Sequence, residues 1–479
     1  MLLPRRPTRR ESGIRFSPAI CCLAAGLGLI AVVTLPAPAL TVRVTPRRPP
    51  ARGLPWLAVR GGRISTLAGQ SVILRGFNDS SLLQTGSSPL PSALTGQDAQ
   101  IMEDQGFDVV RIPISWSLLE PEPGHFSQSY LARIRAMVSL CASHDLYSVL
   151  DMHTEDFGVG FGGSGAPAWL YVPGIPDLHL PGLPAAWQRH LSPAVNAALA
   201  YFWLFPNWQT LYWQAWSIVA RMFRDDSNVA GFDLYNEPHP LPIPPGIFAT
   251  HLLWPFYAQG IRAISRVDPN HLFILEGDLF GELPTAIRPL RARDVVYSTH
   301  LYAGSILGAP FTGSPAPLAS EWREAVHEAA QLPGPYWVGE MGIPHHGRLA
   351  DRWAEDEIEL SDQHLAGWAW WEWEDPNGWG VSNAQGNIDE AWLRVLSQPF
   401  IRSSPGKLTS MDYSPRRRML KALIKDARPG SAVEVSWPKT LGRPRLLSGC
   451  ATTAAGTGSI PGLLTLHLLT ASCLVQVGT

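Results

Sequence analysis

Residues 229–238 have the sequence Val-Ala-Gly-Phe-Asp-Leu-Tyr-Asn-Glu-Pro, an apolar run that ends in an amide, a carboxylate and a proline. A second run, Tyr336–Gly342, is built in the same way and brings Glu340 to its end in Val-Gly-Glu-Met-Gly. Short apolar runs with polar or glycine-rich exits are typical of buried strands. Glu237 and Glu340 are 103 residues apart, which corresponds to three strand–helix units of about 30–35 residues each.

The chain contains eight runs of this kind. They are Val72–Gly76, Asp108–Ile114, Tyr147–His153, Val229–Asn236, His271–Gly277, Val295–Leu301, Tyr336–Gly342 and Gly367–Trp373. Amphipathic stretches such as Tyr130–His144 and Trp254–Val267 lie between them, with apolar residues at helical spacing. Eight alternating units in about 300 residues predict an α/β fold, a (β/α)8 TIM barrel. A doubly wound sheet is the competing architecture, but such sheets usually have fewer strands.

The first residues are typical of a targeting segment. Arginines at positions 5, 6, 9, 10 and 15 precede an apolar stretch, and Ala37-Pro38-Ala39 then offers a small-residue cleavage site. We therefore expect residues 1–39 to be the signal peptide of a secreted, extracellular protein. The apolar stretch is also nearly long enough to remain as an N-terminal membrane anchor.

The end of the chain differs from the barrel region, which we place at 55–400. Ser403-Ser404-Pro405-Gly406 interrupts the helical spacing, and short alternating segments follow. This pattern predicts a small C-terminal β-sandwich domain over 403–479. Cys450 and Cys473 flank a strand-like segment and could form one disulfide in an exported protein. Cys141 lies in a helical pattern, and we expect it to be a buried thiol.

Composition and charge exclude several classes of partner. The formal net charge is −2, and no block of like charge follows residue 50, so nothing indicates nucleic acid. The histidines are not spaced as metal-ligand pairs and no glycine-rich phosphate loop is present, so we expect no metal and no cofactor. Hydrophobic residues make up 46% of the chain, enough for a large core, and we assign most of the 19 tryptophans to it. We expect a monomer.

Polar and aromatic side chains stand at the strand exits, where a TIM barrel carries its functional residues. The exits bring Asn78, Arg111, His153, Asn236, Glu237, Glu276, His300, Tyr302, Glu340 and Trp371. Any one of them could be structural, but their convergence on equivalent strand ends predicts a site that binds a sugar. Two carboxyls at such a site suit glycosidic bond cleavage, in which one carboxyl is protonated and the other ionised.

The constellation resembles glycoside hydrolase family 5 over nearly all of residues 55–400. The motifs are Val-Arg-Ile-Pro around Arg111, Asp-Met-His ending in His153, Asn236-Glu237-Pro238, His300-Leu301-Tyr302, Gly-Glu-Met-Gly around Glu340, and Trp-Ala-Trp-Trp-Glu-Trp around Trp371. The likeness is closer to the endoglycoceramidases, which release the intact glycan from a glycosphingolipid. Gly165-Ala166-Pro167-Ala168-Trp169 is similar to their third-strand region. The chain departs from them at Thr154-Glu155, at Asn78-Asp79-Ser80-Ser81, and at Gly277, which follows Glu276.

The resemblance implies a retaining mechanism and a role for each matched residue. Glu237 would be the acid/base and Glu340 the nucleophile. Of the binding residues, Arg111 would keep Glu340 ionised, Asn236 would bind the 2-hydroxyl of the sugar, His300 and Tyr302 would orient the carboxylates, and Trp371 would lie under the sugar. His153 completes the matched set.

Two loops at the reactive face, Phe157–Trp208 and His239–Phe256, are unusually apolar. They could form a trough for an acyl chain or a surface that contacts a membrane, or they could simply cap the barrel. Three functions therefore stay open. The first is an exported endo-β-glycosidase acting on glycolipid, which the apolar loops favour. The second is a β-glucan or steryl-glucoside hydrolase with the same chemistry. The third is a non-catalytic barrel that binds carbohydrate or lipid.

Overall fold

The computed structural model describes residues 53–479 apart from 85–90, 179–184, 241, 279–286, 288–289, 291, 307, 333, 376, 384 and 455–461. The expected signal peptide at 1–39 lies outside the described residues. Within the described part of the chain, no helix is both long enough and apolar enough to cross a membrane.

A small antiparallel unit precedes the barrel. Its strands are β1 (Leu57–Arg60), β2 (Arg63–Thr66) and β3 (Ser71–Val72). β1 and β2 form a hairpin, and β3 pairs with β2 through Ser65 and Ser71.

Eight parallel strands then close into a barrel, which confirms the predicted TIM-barrel fold. They are β4 (Arg75–Asn78), β5 (Val109–Ile114), β6 (Tyr147–Met152), β7 (Val229–Asp233), β8 (Leu272–Glu276), β9 (Val295–Leu301), β10 (Tyr336–Met341) and β11 (Gly367–Trp370). They pair in chain order, and β11 closes the barrel against β4. Seven of the eight predicted strands are present at the predicted places, and several end earlier than predicted. β7, for example, ends at Asp233, so that Asn236 and Glu237 lie in the loop beyond it. The first predicted run, Val72–Gly76, is displaced: it overlaps β4 only at Arg75 and Gly76, and Val72 belongs to β3.

Helices connect the strands and cover the barrel. They are α1 (Gly96–Asp104), α2 (Trp116–Leu119), α3 (Gln128–Ala142), α4 (Ala185–His190), α5 (Pro193–Leu204), α6 (Pro206–Phe223), α7 (Pro245–Phe248), α8 (Trp254–Ser265), α9 (Ala316–Ala329), α10 (Ala350–His364) and α11 (Glu390–Leu396). A π-helical turn, Ala249–Leu253, joins α7 to α8. Most of the connection between β8 and β9 lies outside the described residues.

Burial explains why these segments form strands and helices. Every residue of β5 is buried, as expected for a parallel strand with core on both faces. In α3 the buried residues recur at helical spacing, and the Ser127 hydroxyl accepts a hydrogen bond from the Tyr130 amide at its N-terminus. Among the side chains that the structure describes, ten tryptophans are less than 2% exposed, which agrees with the assignment of most tryptophans to the core.

The last strands form a two-sheet sandwich. They are β12 (Phe400–Ser404), β13 (Lys407–Ser414), β14 (Met419–Lys425), β15 (Ala432–Ser436), β16 (Arg445–Leu446), β17 (Ala451–Thr453), β18 (Leu463–Leu468) and β19 (Cys473–Gly478). One sheet has the order β1-β2-β3-β12-β15-β18-β17 and the other β13-β14-β19-β16. The residues from Leu57 to Val72 thus belong to the sandwich. This differs from the prediction that the barrel region begins at residue 55, because strands distant in sequence pair here.

Buried contacts tie the barrel to the sandwich. The guanidinium of Arg75 in β4 donates to Asp362 of α10 over 2.6 Å and lies 4.8 Å from the centre of the Phe400 ring in β12. Within the sandwich, Cys450 and Cys473 form the disulfide that the sequence left open. Cys141 is a buried free thiol, as predicted.

Candidate active site

Glu340 is the last residue but one of β10, and both of its carboxylate oxygens are held by neighbouring strand ends. Arg111 in β5 donates to Oε1 over 2.6 Å, and the Tyr302 hydroxyl, just after β9, donates to Oε2 over 2.9 Å. Burial by itself would raise the pKa of Glu340. The positive charges of His300 and Arg111 outweigh burial and lower that pKa. Glu340 is therefore held as a carboxylate.

Arg111 is the centre of the polar network at this end of the barrel, and its side chain is fully buried. Its guanidinium also contacts Asn78, Asp151, Asp233, Asn236 and Glu276 over 2.9–3.2 Å. Burial would lower the pKa of Arg111, but the surrounding carboxylates outweigh that effect and raise it. A buried charge is tolerated only when it is paired in this way.

Glu237 lies in the loop after β7 with a backbone φ of 46°, a left-handed conformation that is uncommon for a residue with a side chain. Its backbone amide donates to Glu276 over 2.7 Å. Its Oε1 lies 2.8 Å from Nδ1 of His300. Burial is the main cause that raises the pKa of Glu237, and it outweighs the opposing effect of His300. Glu237 is thus favoured as a protonated acid beside an ionised Glu340.

The two carboxyls lie close together. A carboxyl oxygen of Glu237, one of Glu340 and a ring nitrogen of His300 are all within 4.8 Å of one another. Such a cluster also has ligand types that bind metal ions. Here, however, Arg111 places a fixed positive charge 2.6 Å from Glu340, which disfavours a cation at the same position. The arrangement therefore fits acid–base chemistry better than metal binding.

The other predicted residues surround this pair. Asn236 accepts from Arg111 over 2.9 Å and donates to the Thr154 carbonyl over 3.1 Å, which fixes the orientation of its amide. His153 is hydrogen-bonded to Asp151 over 2.8 Å, and its ring stacks on Trp371 with centroids 5.7 Å apart. The structure thus brings all eight predicted residues together at the C-terminal end of the barrel, with Trp371 partly exposed there.

Three further acids, Asp151, Asp233 and Glu276, contact Arg111 and belong to the site, although the sequence assigned none of them an individual role and placed only Glu276 among the strand exits. Burial would raise the pKa of Glu276, but His300 and Arg111 outweigh it and lower the pKa to about 2. Glu276 was visible as a strand exit. Asp151 and Asp233 stand inside apolar runs, where only their presence as charged residues in buried strands could have identified them.

Two aromatic side chains of the apolar loop His239–Phe256 are packed inside the protein, as the cap interpretation requires. Phe248 and Trp254 are 0% and 1% exposed. The Phe248 ring packs edge-on against Trp203 with centroids 4.7 Å apart, and Trp254 packs against Tyr257. These two side chains therefore build the core of the insertion and do not line an open groove. Other apolar side chains of the two loops are exposed, namely Tyr171, Leu178, Leu191, Leu204, Phe205 and Ile247.

An ionised carboxylate and a protonated carboxyl at this spacing can act on opposite sides of an acetal carbon. About 5–5.5 Å between two carboxyls leaves room for a sugar carbon and its oxygen but not for an additional water, which is the geometry of double displacement. The ring of Trp371 provides an apolar face of the kind that sugars stack on.

The sequence model of the cellulase family, glycosyl hydrolase family 5, matches residues 67–377. Endoglycoceramidase I of Rhodococcus hoagii is 22% identical over 413 residues, which cover 74% of this chain and 73% of that protein. The crystal structure of an endogalactoceramidase has a TM-score of 0.76 and 29% identity, and the match covers 89% of this chain and 100% of that one. Endo-glycoceramidase II from Rhodococcus sp., in a cellobiose-like imidazole complex, has a TM-score of 0.77 and 25% identity, with 87% of this chain and 99% of that chain covered.

Proposed function

The chain belongs to glycosyl hydrolase family 5, and from that membership we propose that it is a retaining endo-β-glycosidase that cleaves glycosphingolipids between the glycan and the lipid. The observation that carries the chemistry is the pair of Glu237 and Glu340, whose carboxyl oxygens lie within 4.8 Å and whose pKa values are shifted in opposite directions. Similarity to endoglycoceramidases over most of the chain supports the choice of substrate.

In the first step, Glu340 attacks the anomeric carbon and Glu237 gives its proton to the departing oxygen. The bond to the lipid breaks, the lipid alcohol leaves, and a glycosyl ester of Glu340 remains. In the second step, Glu237 takes a proton from water, whose oxygen attacks the same carbon and releases Glu340. Two inversions retain the β configuration, and each residue returns to its starting protonation state.

The surrounding residues stabilise the charges that change during these steps. Arg111 and Tyr302 hold Glu340 as the attacking carboxylate. His300 lies 2.8 Å from Glu237 and 3.5 Å from Glu340, so it orients both carboxyls at once. The side-chain amide of Asn236 accepts a hydrogen bond from Arg111 and donates one to the Thr154 carbonyl. These two bonds fix its orientation and position it for the 2-hydroxyl of the sugar.

Export and contact with a lipid surface belong to the same proposal. The arginine-rich, apolar N-terminus and the Cys450–Cys473 disulfide support an extracellular location.

Helix α5 carries no charged side chain, and its end exposes Leu204, followed by exposed Phe205. We assign this uncharged face to a bilayer that presents the substrate. A Leu204→Ser/Phe205→Ser variant should sediment less with glycolipid-containing vesicles than the wild type does. Export is tested separately: an intact N-terminus on the extracellular protein would contradict cleavage of the signal peptide.

The function is tested by incubating the secreted protein with glycosphingolipids, steryl glucoside and soluble β-glucan, and identifying the products by mass. We expect free glycan and ceramide. Release of sterol or glucose oligomers, with no product from glycosphingolipid, would instead indicate a β-glucan or steryl-glucoside hydrolase. No product from any of the three substrates would indicate a non-catalytic barrel that binds carbohydrate or lipid. NMR during early turnover should show the β anomer, and an initial α product would contradict retention.

Matched variants identify the two roles. Glu340→Gln should abolish turnover of every substrate, because no glycosyl ester can form. Glu237→Gln should abolish glycolipid cleavage and leave more activity on aryl glycosides, whose leaving groups need little protonation. Glu434→Gln, a carboxamide in the distant β15 strand, is the control and should keep wild-type rates.

A further inference from the structure

A cavity lies beside the carboxyl of Glu237, and none of Glu340, Arg111 or Trp371 lines it. The residues that matter for its chemistry are Asp156, Phe157, His190, Tyr235, Glu237 and His239. The sugar is expected between Glu237 and Glu340. The cavity has a volume of about 20 Å³, enough for one small polar group. Because Glu237 protonates the oxygen that leaves, a polar group close to that oxygen in the leaving group can reach this cavity.

One wall of the cavity is strongly polar and is held in place by Asp156. The Asp156 carboxylate lies 2.7 Å from Nδ1 of His190 and also accepts a hydrogen bond from Nε of Arg189. Asp156 and Phe157 both have positive φ values, 51° and 67°. Non-glycine residues adopt this conformation rarely, and strain of this kind is found preferentially at functional sites.

His239 completes that wall two residues after Glu237. Its ring stacks on His190 with centroids 5.4 Å apart and an angle of 21° between the planes. Its Nδ1 is buried, and no group among the residues that the structure describes forms a hydrogen bond with it. Burial first, and then the charge of His190, lower the pKa of His239 to about 4. At neutral pH the ring is uncharged and can both donate and accept a hydrogen bond.

Two other lining residues, Phe157 and Tyr235, are aromatic and form the apolar wall of the cavity. Phe157 stacks on Trp208 with centroids 5.6 Å apart, and Tyr235 packs against Phe202 at 5.7 Å. A second sugar would need hydroxyl partners on several sides, whereas a group with one polar edge and an apolar chain matches both walls. A sterol matches the apolar wall only and leaves Nδ1 of His239 unpaired, at a cost typical of a buried polar atom.

We propose that His239 is a specificity-determining residue that selects leaving groups with an amide or hydroxyl a few bonds from the glycosidic oxygen, the chemistry of an N-acylated amino alcohol. This rests on the proposed function and deepens it. His190 and Asp156 act as positioning residues that hold the His239 ring against the cavity.

The test compares two lipids with the same glycan in the same detergent micelles, a glycosyl ceramide and an octadecyl β-glycoside that lacks the amide and hydroxyl. The measured quantity is kcat/KM for the glycosyl ceramide divided by kcat/KM for the octadecyl glycoside. In His239→Phe, which keeps a stacking ring, this ratio should fall at least tenfold. His239→Asn, whose amide can replace Nδ1, should restore part of it. The control His144→Phe, before β6 at the other end of the barrel, should leave the ratio unchanged.

Each other outcome has a defined meaning. A folded His239→Phe protein with an unchanged ratio, or with both rates lowered equally, overturns the assignment of His239 and leaves the proposed function standing. A wild-type enzyme that hydrolyses the octadecyl glycoside and not the ceramide overturns the proposed function itself. Circular dichroism and thermal midpoints of all variants establish that they are folded.

Discussion

The Tyr302 hydroxyl donates to Oε2 of Glu340 over 2.9 Å, from the end of the neighbouring barrel strand. A hydrogen bond to a charged group favours its ionised form and contributes about 1.5–3 kcal/mol. Tyr302→Phe should therefore lower kcat about ten- to hundredfold and move the acidic limb of the pH profile to higher pH. An acidic limb identical to that of the wild type would show that Tyr302 does not hold Glu340 ionised.

The wild-type pH profile of kcat/KM should be a bell set by the coupled carboxyl pair. Glu340 must be ionised, and since its pKa is lowered, activity should persist to more acidic pH than an ordinary glutamate allows. Glu237 must be protonated, and since its pKa is raised, activity should decline only above the usual range of a glutamate. Glu237→Gln should remove the alkaline limb measured on aryl glycosides, and its persistence would assign that limb to another group.

Phe248→Ala should destabilise the protein rather than alter substrate choice. The side chain is 0% exposed and packs on Trp203, and removing a buried phenylalanine ring costs about 3–5 kcal/mol. Urea unfolding should show the loss, while rates on glycolipid and aryl glycoside should fall by the same factor. Ile247→Ala, one residue earlier and 54% exposed, is the control for stability. A selective loss on glycolipid would restore the trough interpretation.

Glu357 of α10 should make stability depend on pH. The carboxyl accepts a hydrogen bond from the Trp322 indole over 2.6 Å, and burial raises its pKa to about 8. Its ordinary pKa applies in the unfolded chain. The protonated Glu357 side chain therefore makes its full contribution to the free energy of unfolding at acidic pH. This contribution is lost as the pH rises from the ordinary pKa of a glutamate toward 8, by about 1 kcal/mol per pH unit. Glu357→Gln should flatten this slope in urea titrations, whereas the exposed Glu359→Gln should not.

The eight barrel strands could be predicted because a parallel strand buried on both faces leaves a continuous apolar run with a polar exit. The same logic located Glu237 and Glu340, which follow or end such runs. It could not assign roles to Asp151 and Asp233, because their contacts with Arg111 depend on which face of the strand points into the barrel. That face follows from strand register, which apolar content alone does not specify.

The apolar loops show a second limit. Their apolar composition left a trough, a membrane-contacting surface and a cap open, because composition does not tell whether such side chains pack on one another or face a ligand. Phe248 contacts the Trp203 ring of α5, and Trp254 contacts the Tyr257 ring of its own helix, whereas Leu204 and Phe205 stay exposed. The sequence likewise could not place Leu57–Val72 in the sandwich, since the partner strands follow only after the barrel.

The sheet that joins β3 to β12 constrains the order in which the chain can fold. Val72 pairs with Ser403. β3 can pair with β2 on one edge as soon as both have been synthesised, but its other edge has no partner until the whole barrel has followed. Until then β3 presents an open edge, and open edges are where foreign strands attach. Completing the sheet requires closure of a very long loop, which is slow. The nascent protein thus depends on a strand that follows the barrel to cover the edge of a strand that precedes it.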